Sequence, residues 1–412
     1  MELLAPAGTR EKLETAFNFG ADAVYFAGKK FGLRAFAGNF DDDEIIEVAN
    51  FAHSLNKKVY VTLNIIARNS DFEELPAYLK VLEKAKVDGV IVSDIGVIKF
   101  IHDHAPNLNI HVSTQANTLN KYSAQFFCDM GVTRIVLARE LSLKEIKEIR
   151  EFIPKNVEIE CFVHGAMCIS YSGRCLLSNY LTGRDSNRGA CVQACRWEYT
   201  ISEKSRQNQQ YEIQEDTRGT YILNSKDLCM IRHLKEMEDA GVYSLKIEGR
   251  MKSAYYVANV VNAYRRAIDY LNDPKKFDEN IDMLYAECEK SSHRNYTTAF
   301  YLGNNESKEF LASSMPVQTH EFMAIVLEDA KNGYALIEQR NNFKVGSTLE
   351  VLSPSDEFNK TFVVEEMFDE KNEPVQVANK VQQILRLKTD LKLKKNDILR
   401  ARIWYFFNRL TN

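Results

Sequence analysis

The sequence predicts an α/β chain: a (β/α)8 TIM-like barrel followed by a small C-terminal antiparallel β-barrel domain. Three observations predict it. Over the first ~250 residues, short Val- and Ile-rich runs alternate with amphipathic helical stretches, the pattern of a parallel sheet covered on its outer face. Eight such runs lie near residues 2–5, 23–27, 58–64, 87–93, 109–114, 133–138, 157–163 and 243–248, which suits a closed barrel. No GxGxxG follows the first run, so the open doubly wound alternative loses its dinucleotide form. From Glu321 onward the texture changes to short alternating runs: Phe322–Leu327, Tyr334–Glu338, Thr348–Leu352, Thr361–Glu366, Gln383–Leu387 and Ile398–Arg402. Turns such as Lys331-Asn-Gly333 separate them, as in a small antiparallel barrel.

Composition agrees. The 412 residues fit two to three domains, and 45% hydrophobic with 27% charged residues describes an ordinary globular chain. Disorder, collagen and coiled coil are excluded as the main architecture. No run approaches ~18 apolar residues, so no membrane span is expected. Met1-Glu-Leu-Leu-Ala-Pro6 lacks the basic start and long apolar centre of a secretory signal. A cytoplasmic, reducing location is expected.

The elements follow in order. Gly20, Gly89, Gly131 and Gly241 precede strand-like runs, where a glycine can cap the preceding helix. In a barrel, chemistry sits where strands end and βα loops begin. Those positions hold Asn64, Ser93, Asp94, Ser113, Gln115, Arg139, Glu140, His164 and Glu248-Gly-Arg250. Glu248 and Arg250 flank a glycine that permits close backbone approach, so they are expected to face a ligand. Residues 164–243 form a long Cys-rich insertion before the last strand, and such loops are usually functional. Residues 203–219 read as an exposed hairpin or mobile loop. Residues 253–271 read as a helix with Tyr256, Val257, Val260, Val261, Tyr264 and Ile268 on one stripe, stopped by Asn272-Asp-Pro274. The expected domains are therefore 1–271, a connecting segment 272–318 packing on the barrel, and 319–412.

The net charge is −4, so any nucleic-acid site must be a local patch. Residues 380–402 offer one, with Lys380, Arg386, Lys388, Lys392, Lys394, Lys395, Arg400 and Arg402 against Asp390 and Asp397. A solvated strand face that discourages edge pairing is the plain alternative.

Six of the eight cysteines (Cys161, Cys168, Cys175, Cys191, Cys195, Cys229) fall in one part of the chain, while Cys128 and Cys288 stand apart. In a reducing compartment such a cluster reads as metal or redox chemistry sooner than as disulfides. Zinc sites usually pair ligands two to four residues apart, and only Cys191 and Cys195 come that close. Iron–sulfur clusters accept wider spacings. Spacing leaves open an iron–sulfur cluster, zinc, buried thiols, or a cysteine nucleophile with His164 as base to Cys168 or Cys175.

Glu160-Cys-Phe162-Val-His-Gly165-Ala-Met-Cys168-Ile-Ser-Tyr-Ser-Gly173-Arg-Cys175-Leu-Leu-Ser178 resembles the signature of the collagenase-like peptidase family U32. So do the opening Glu2-Leu-Leu-Ala-Pro-Ala-Gly8, Gly20-Ala-Asp-Ala-Val-Tyr25, Ser225-Lys-Asp227-Leu-Cys229, Lys246-Ile-Glu248-Gly-Arg250 and Ser292-His-Arg294-Asn-Tyr-Thr-Thr298. The proteolytic name finds no HExxH, GxSxG or acid dyad here. The resemblance implies oxygen-independent hydroxylation with a 4Fe–4S cluster on Cys168, Cys175, Cys191 and Cys229, with Cys195 as rival for the third place. Within the family, the chain's length, its Tyr180–Gly189 loop and the terminal barrel look like the subgroup that serves prephenate-dependent 5-hydroxylation of wobble uridine in tRNA. That implies catalytic roles for His164, Glu248 and Arg250, with Arg250 or Arg139 as partner for the prephenate carboxylates. Arg139, Arg174, Arg184, Arg188, Lys388 and Lys392 become substrate contacts, most of them to the phosphates of the anticodon arm, with Arg196 beside the cysteines as another. The alternatives are a peptidase, or a non-catalytic iron–sulfur RNA-binding partner protein.

Overall fold

A computed structural model describes residues 1–412 apart from 34–37, 169, 176, 195–196, 198–213, 217–218, 222–225, 304–316 and 404–412. The first seven strands are β1 (Glu2–Pro6), β2 (Ala23–Ala27), β3 (Lys58–Leu63), β4 (Gly89–Val92), β5 (Ile110–Val112), β6 (Arg134–Val136) and β7 (Glu158–Ala166). The helices between them are α1 (Arg10–Asn18), α2 (Asp42–Ser54), α3 (Asp71–Ala85), α4 (Ile95–His104), α5 (Lys121–Asp129) and α6 (Leu143–Phe152). Consecutive strands pair in parallel, and Ser244–Ile247 joins β7 on one side and β1 on the other, which closes an eight-stranded barrel. All eight sequence-predicted runs coincide with these staves. The strands are buried along nearly their full length, so they read as continuous apolar runs rather than alternating ones.

Local signals set the helix ends. Asp41 caps α2 and Ser142 caps α6, each in a reciprocal capping box with the glutamate three residues on. Gly131 (φ 78) turns the chain after α5, but after α3 it is Lys86 (φ 54) that takes the left-handed position, not Gly89.

Between β7 and the eighth stave the insertion holds the short helix α7 (Leu177–Thr182) and an antiparallel pair, 214–216 with 219–221. Residues 203–213 of the expected hairpin lie outside the described residues. The insertion returns through Asp227–Cys229, antiparallel to β7, and α8 (Leu234–Asp239). Helix α9 (Ala254–Tyr270) is capped by Ser253 and buries twelve of its residues, the predicted stripe among them. The connecting segment contains more order than its sequence announces. Asn272-Asp-Pro274, read as a stop, is also a start: Asp273 caps Lys276 N and Pro274 opens α10 (Pro274–Cys288).

The C-terminal domain is a seven-stranded antiparallel sheet in the order 361–363, 348–352, 398–402, 320–326, 334–339, 384–388, 367–368. Its two end strands are joined by residues 364–366 alone. Three residues span roughly 10 Å at most, so the sheet must curl until its ends approach. Leu352 and Ile398 join the barrel's core, and the sheet keeps its own core around Ile337, Leu349, Val351 and Leu387.

Arg400 locks the two domains together. It is fully buried and donates to Asn259 Oδ1 on α9 (2.7 Å), Glu287 Oε2 on α10 (3.0 Å), Glu350 Oε1 (2.8 Å) and Asn359 Oδ1 (2.7 Å). Burial works to raise the carboxyls of Glu287 and Glu350, yet Arg400 and Lys290 hold both below their ordinary value. Their folded-state pKa is depressed, so the stability they contribute is present above about pH 4.5 and lost as pH falls. Arg400→Gln is expected to cost roughly 3–5 kcal/mol near neutral pH, because Glu287 is left buried and half-compensated. Calorimetric Tm measured from pH 7 down to pH 4 checks it: the wild type loses more Tm across that range than the variant does.

Candidate functional site

The barrel interior is polar at its amino-terminal end. Arg134 donates to Glu2 Oε1 (2.7 Å), Glu160 Oε2 (2.9 Å) and Glu158 Oε2 (2.8 Å). Tyr60 and Ser244 hydroxyls donate to Glu2, and Lys246 Nζ donates to Glu160 Oε1 at 2.6 Å. Burial pushes Glu2 up, but the Arg134 charge and these hydrogen bonds hold its carboxyl below the usual range. Lys246 lies over the Tyr25 ring and forms the floor of a cavity above.

That cavity, of about 230 Å3, opens at the carboxyl ends of the strands, the catalytic face of this architecture. Its walls include Tyr25, Thr62, Phe162, Lys246, Glu248, Arg250, Arg139 and Gln115. Cys168, Cys175 and Cys191 line it together with Ser172, Ser178, Ser186 and Gly189. The Leu177 N–H points at Cys175 Sγ (3.3 Å) and the Gln193 N–H at Cys191 Sγ (3.4 Å). Backbone N–H groups directed at sulfur are one way proteins tune metal–thiolate centres. The loop is anchored by Glu140, which accepts from the Ser172 N–H and hydroxyl (both 2.6 Å), and by Ser186 and Asn187, which donate to Cys175 O.

Thr62 Oγ1, Gln115 Oε1 and Arg139 Nε, on residues lining this space, are buried with no hydrogen-bond partner among the described residues. Unmet polar groups at this depth are costly, which points to a ligand or water that meets them. Arg139 also donates to Ala166 O (3.3 Å) and stands over the Phe162 ring. Arg250 is buried and fixed by Leu33 O (2.8 Å) and Asn39 Oδ1 (2.7 Å). Glu248 accepts from Tyr25 OH at 3.3 Å. Lysine and arginine outnumber Glu248 on these walls, so the cavity suits an anion.

The structure does not bring His164 or Cys229 to this cavity. The β7 strand carries one residue more than its neighbour here, since Lys246 pairs with Phe162 and Ile247 with His164. The in–out alternation slips, and the His164 ring turns among Tyr256, Tyr264 and Tyr296. The role of base to Cys168 or Cys175 is therefore corrected: His164 faces the other side of the strand. Cys229 pairs opposite His164, and ligand atoms of His164, Cys229 and Cys288 lie within 4.8 Å of one another, all buried. Burial works against the Cys229 thiolate, but hydrogen bonds from Cys288 and His164 hold its pKa well below the ordinary value. Cys288, a lone cysteine by sequence, had no signal to place it there.

The basic residues divide. Arg174 and Arg184 are exposed beside the thiol loop, Arg174 donating to Gln115 O. Arg188 makes a bidentate pair with Asp71 (2.9 Å twice) and donates to Ile66 O, so it staples the loop to the barrel. Among the C-terminal residues, Arg400 is buried, Lys388 pairs with Glu365 and Glu366, and Lys394 pairs with Asp329. Three of the eight basic residues in that run, Lys388, Lys394 and Arg400, are thus paired with acids from elsewhere in the chain. Lys392 remains exposed, away from the cavity. Cys195 and Arg196 lie outside the described residues.

Fold and site together define a barrel protein with a thiol-lined, cation-floored cavity. The chain belongs to peptidase family U32: that family's description matches residues 8–310, and its C-terminal domain matches residues 318–400. A Bacillus subtilis relative named tRNA hydroxylation protein P1 is 41% identical over 97% of this chain and 94% of its own. The Escherichia coli tRNA hydroxylation protein P is 37% identical, covering 92% and 91%. A 23S rRNA 5-hydroxycytidine synthase of Escherichia coli is 38% identical over 71% of this chain and 42% of its own length.

Gly165, near the end of β7, has φ +105, and a Cβ there would collide with the Glu248 carbonyl oxygen. Gly165→Ala is expected to cost roughly 1–3 kcal/mol from backbone strain alone, read as a lower Tm. An unchanged Tm would mean that the two loops are not held as described.

Proposed function

We propose that this chain is an RNA-hydroxylating enzyme of the cytoplasm. In this reading it serves the oxygen-independent, prephenate-dependent 5-hydroxylation of wobble uridine in tRNA, using a 4Fe–4S cluster. The observation that carries the reading is the wall of three thiols, Cys168, Cys175 and Cys191, at the mouth of the barrel cavity. The two relatives named for tRNA hydroxylation span nearly the whole chain, and the rRNA relative also acts on RNA; both support RNA as the substrate class.

The donor set suits the cluster. Thiolates are its usual protein ligands, and it tolerates ligands drawn from widely separated stretches. Three of the four thiols meet this test. Cys229 is the fourth, with its sulfur directed at His164 and Cys288, so its assignment needs a separate experiment. When bound, the cluster supplies redox chemistry that the side chains lack.

The chain's own residues bind and orient. Prephenate is a dicarboxylate, and the Arg139 guanidinium with its unmet Nε offers a planar fork for one carboxylate. Arg250, fixed by Leu33 and Asn39, keeps a second positive charge in place. Thr62 and Gln115 can meet the edge of a base that has left its stack. Arg174, Arg184 and Lys392 are exposed, where they can reach phosphates. The peptidase alternative lacks its machinery, since among the described residues no histidine lines the cavity. The Cys229–His164 pair is sealed behind tyrosines.

Anaerobic purification is expected to give a brown, iron- and sulfide-containing protein. Cys168→Ala, Cys175→Ala and Cys191→Ala each lose the iron, and Cys229→Ala loses it too if Cys229 is the fourth ligand. Retention in that last variant alone moves the fourth ligand elsewhere. A colourless wild type that cannot be reconstituted overturns the cluster. Arg139→Ala is expected to raise KM for prephenate about 10-fold or more while kcat changes less. Nucleoside analysis of tRNA from a deletion strain tests the reaction: unchanged 5-hydroxyuridine-derived nucleosides, in a strain without a paralogue, would falsify it.

A further inference from the structure

The thiol loop carries aromatic rings that neither the core nor the cluster reading uses. Tyr171 is 55% exposed, Tyr180 83% and Trp197 42%. Each is tied to the cavity wall. Tyr171 precedes Ser172, Tyr180 shares α7 with Leu177 and Ser178, and the Trp197 N–H donates to Ala194 O; Ser172, Leu177, Ser178 and Ala194 all line the cavity.

Exposed aromatic rings are common singly, but elsewhere on this surface they find partners. Tyr122 packs edge-on against Phe152, with Lys121 over both rings, and Phe126 packs against Phe127. Among the described residues no ring or cation stacks on Tyr171, Tyr180 or Trp197. No two of the three rings pack against one another either. Arg174 and Arg184 lie between them in sequence and are exposed beside them.

Separated rings interleaved with arginines at the rim of a cavity match the way single-stranded RNA is held. Unpaired bases stack on aromatic faces while cations follow the backbone. A duplex hides its bases and cannot use such rings.

We propose that Tyr171, Tyr180 and Trp197 form a stacking rim that binds the unpaired nucleotides flanking the one in the cavity, selecting single-stranded loops over paired RNA. This rests on the RNA reading above and deepens it: the rim, and not the cavity alone, sets which RNA is accepted. Each ring acts through its π-face, so phenylalanine can replace tyrosine at little cost.

The test uses the full-length protein, a fluorescein-labelled RNA hairpin with a uridine-containing loop, and a fully paired duplex of the same composition. Tyr180→Ala is expected to weaken hairpin binding about 10-fold, leave duplex binding unchanged and keep the salt dependence of binding, because the phosphate contacts remain. Tyr180→Phe restores wild-type affinity. The sequence holds two tryptophans, so a Trp404→Phe background isolates Trp197, whose fluorescence is expected to quench with the hairpin and not with the duplex. Both tyrosine variants keep the wild-type Tm, since the side chain is exposed.

A wild type that binds no hairpin overturns the RNA reading and the rim with it. A wild type that binds, while Tyr180→Ala and Trp197→Ala bind equally well, overturns the rim alone. Self-association in sedimentation that Tyr180→Ala abolishes would give the rings to a second copy of the chain, and would overturn it too.

Discussion

The Arg134 guanidinium, buried inside the barrel, is the constraint on which the rest depends. It lies on β6 and reaches Glu2 on β1 and Glu160 on β7, while Ser244 and Lys246 of the eighth stave complete the same network. The first and last strands are therefore tied through one set of charges, across the seam where the barrel closes. An apolar filling would close a barrel equally well, and often more stably. Ionic groups add direction. A shift of one residue along β1 would point Glu2 outward and leave Arg134 with too little negative charge. The network also sets the chemistry above it, since it holds the Lys246 ammonium at the cavity floor.

From that floor upward the cavity changes character in layers. Lys246 lies against the Tyr25 and Phe162 rings; Thr62, Arg139, Glu248 and Arg250 come from the strands' carboxyl ends, and the thiols from the insertion beyond them. The floor belongs to the strands, and the layer above it to the strands' carboxyl ends. The upper layer belongs to an insertion held by a few polar clamps: Glu140 on Ser172, Asp71 on Arg188, and Ser186 on the Cys175 carbonyl. None of these clamps buries much apolar surface. The loop's geometry thus depends on satisfied hydrogen bonds, and a ligand binding the thiols would add order to it.

Much of the fold was legible because its strands are buried on both faces, and a buried strand announces itself as a short apolar run. The eight staves are visible that way, whereas the six main strands of the C-terminal sheet show as alternating runs with one face buried. Helix α10 was not, since Asn272-Asp-Pro274 serves two helices at once and only the stop was read. Cys168 and Cys175 were legible from a family signature, and Cys191 from its resemblance to a ligand position for which Cys195 was the rival. The placement of His164 and Cys229 was not, because a strand's period fixes the face of a residue only while the register holds, and β7 slips between Phe162 and His164. The basic stretch misled for a related reason. Charge adds along a sequence, but Lys388, Lys394 and Arg400 meet carboxylates that lie 22 to 113 residues away.

The slip in β7 has a consequence for the chemistry. Without it, His164 would stand on the cavity face beside Phe162, and an imidazole would share the space with the thiols. With it, the cavity keeps sulfur, guanidinium, ammonium, hydroxyl and amide groups together with one carboxylate, and the imidazole is enclosed behind β7 by Tyr256, Tyr264 and Tyr296. Among the described residues no imidazole lines the cavity, and Glu248 is its one carboxylate. General acid–base catalysis is thus poorly provided for, while anion binding and sulfur ligation are well provided for. The register of one strand thus decides which functional groups share the space with the thiols.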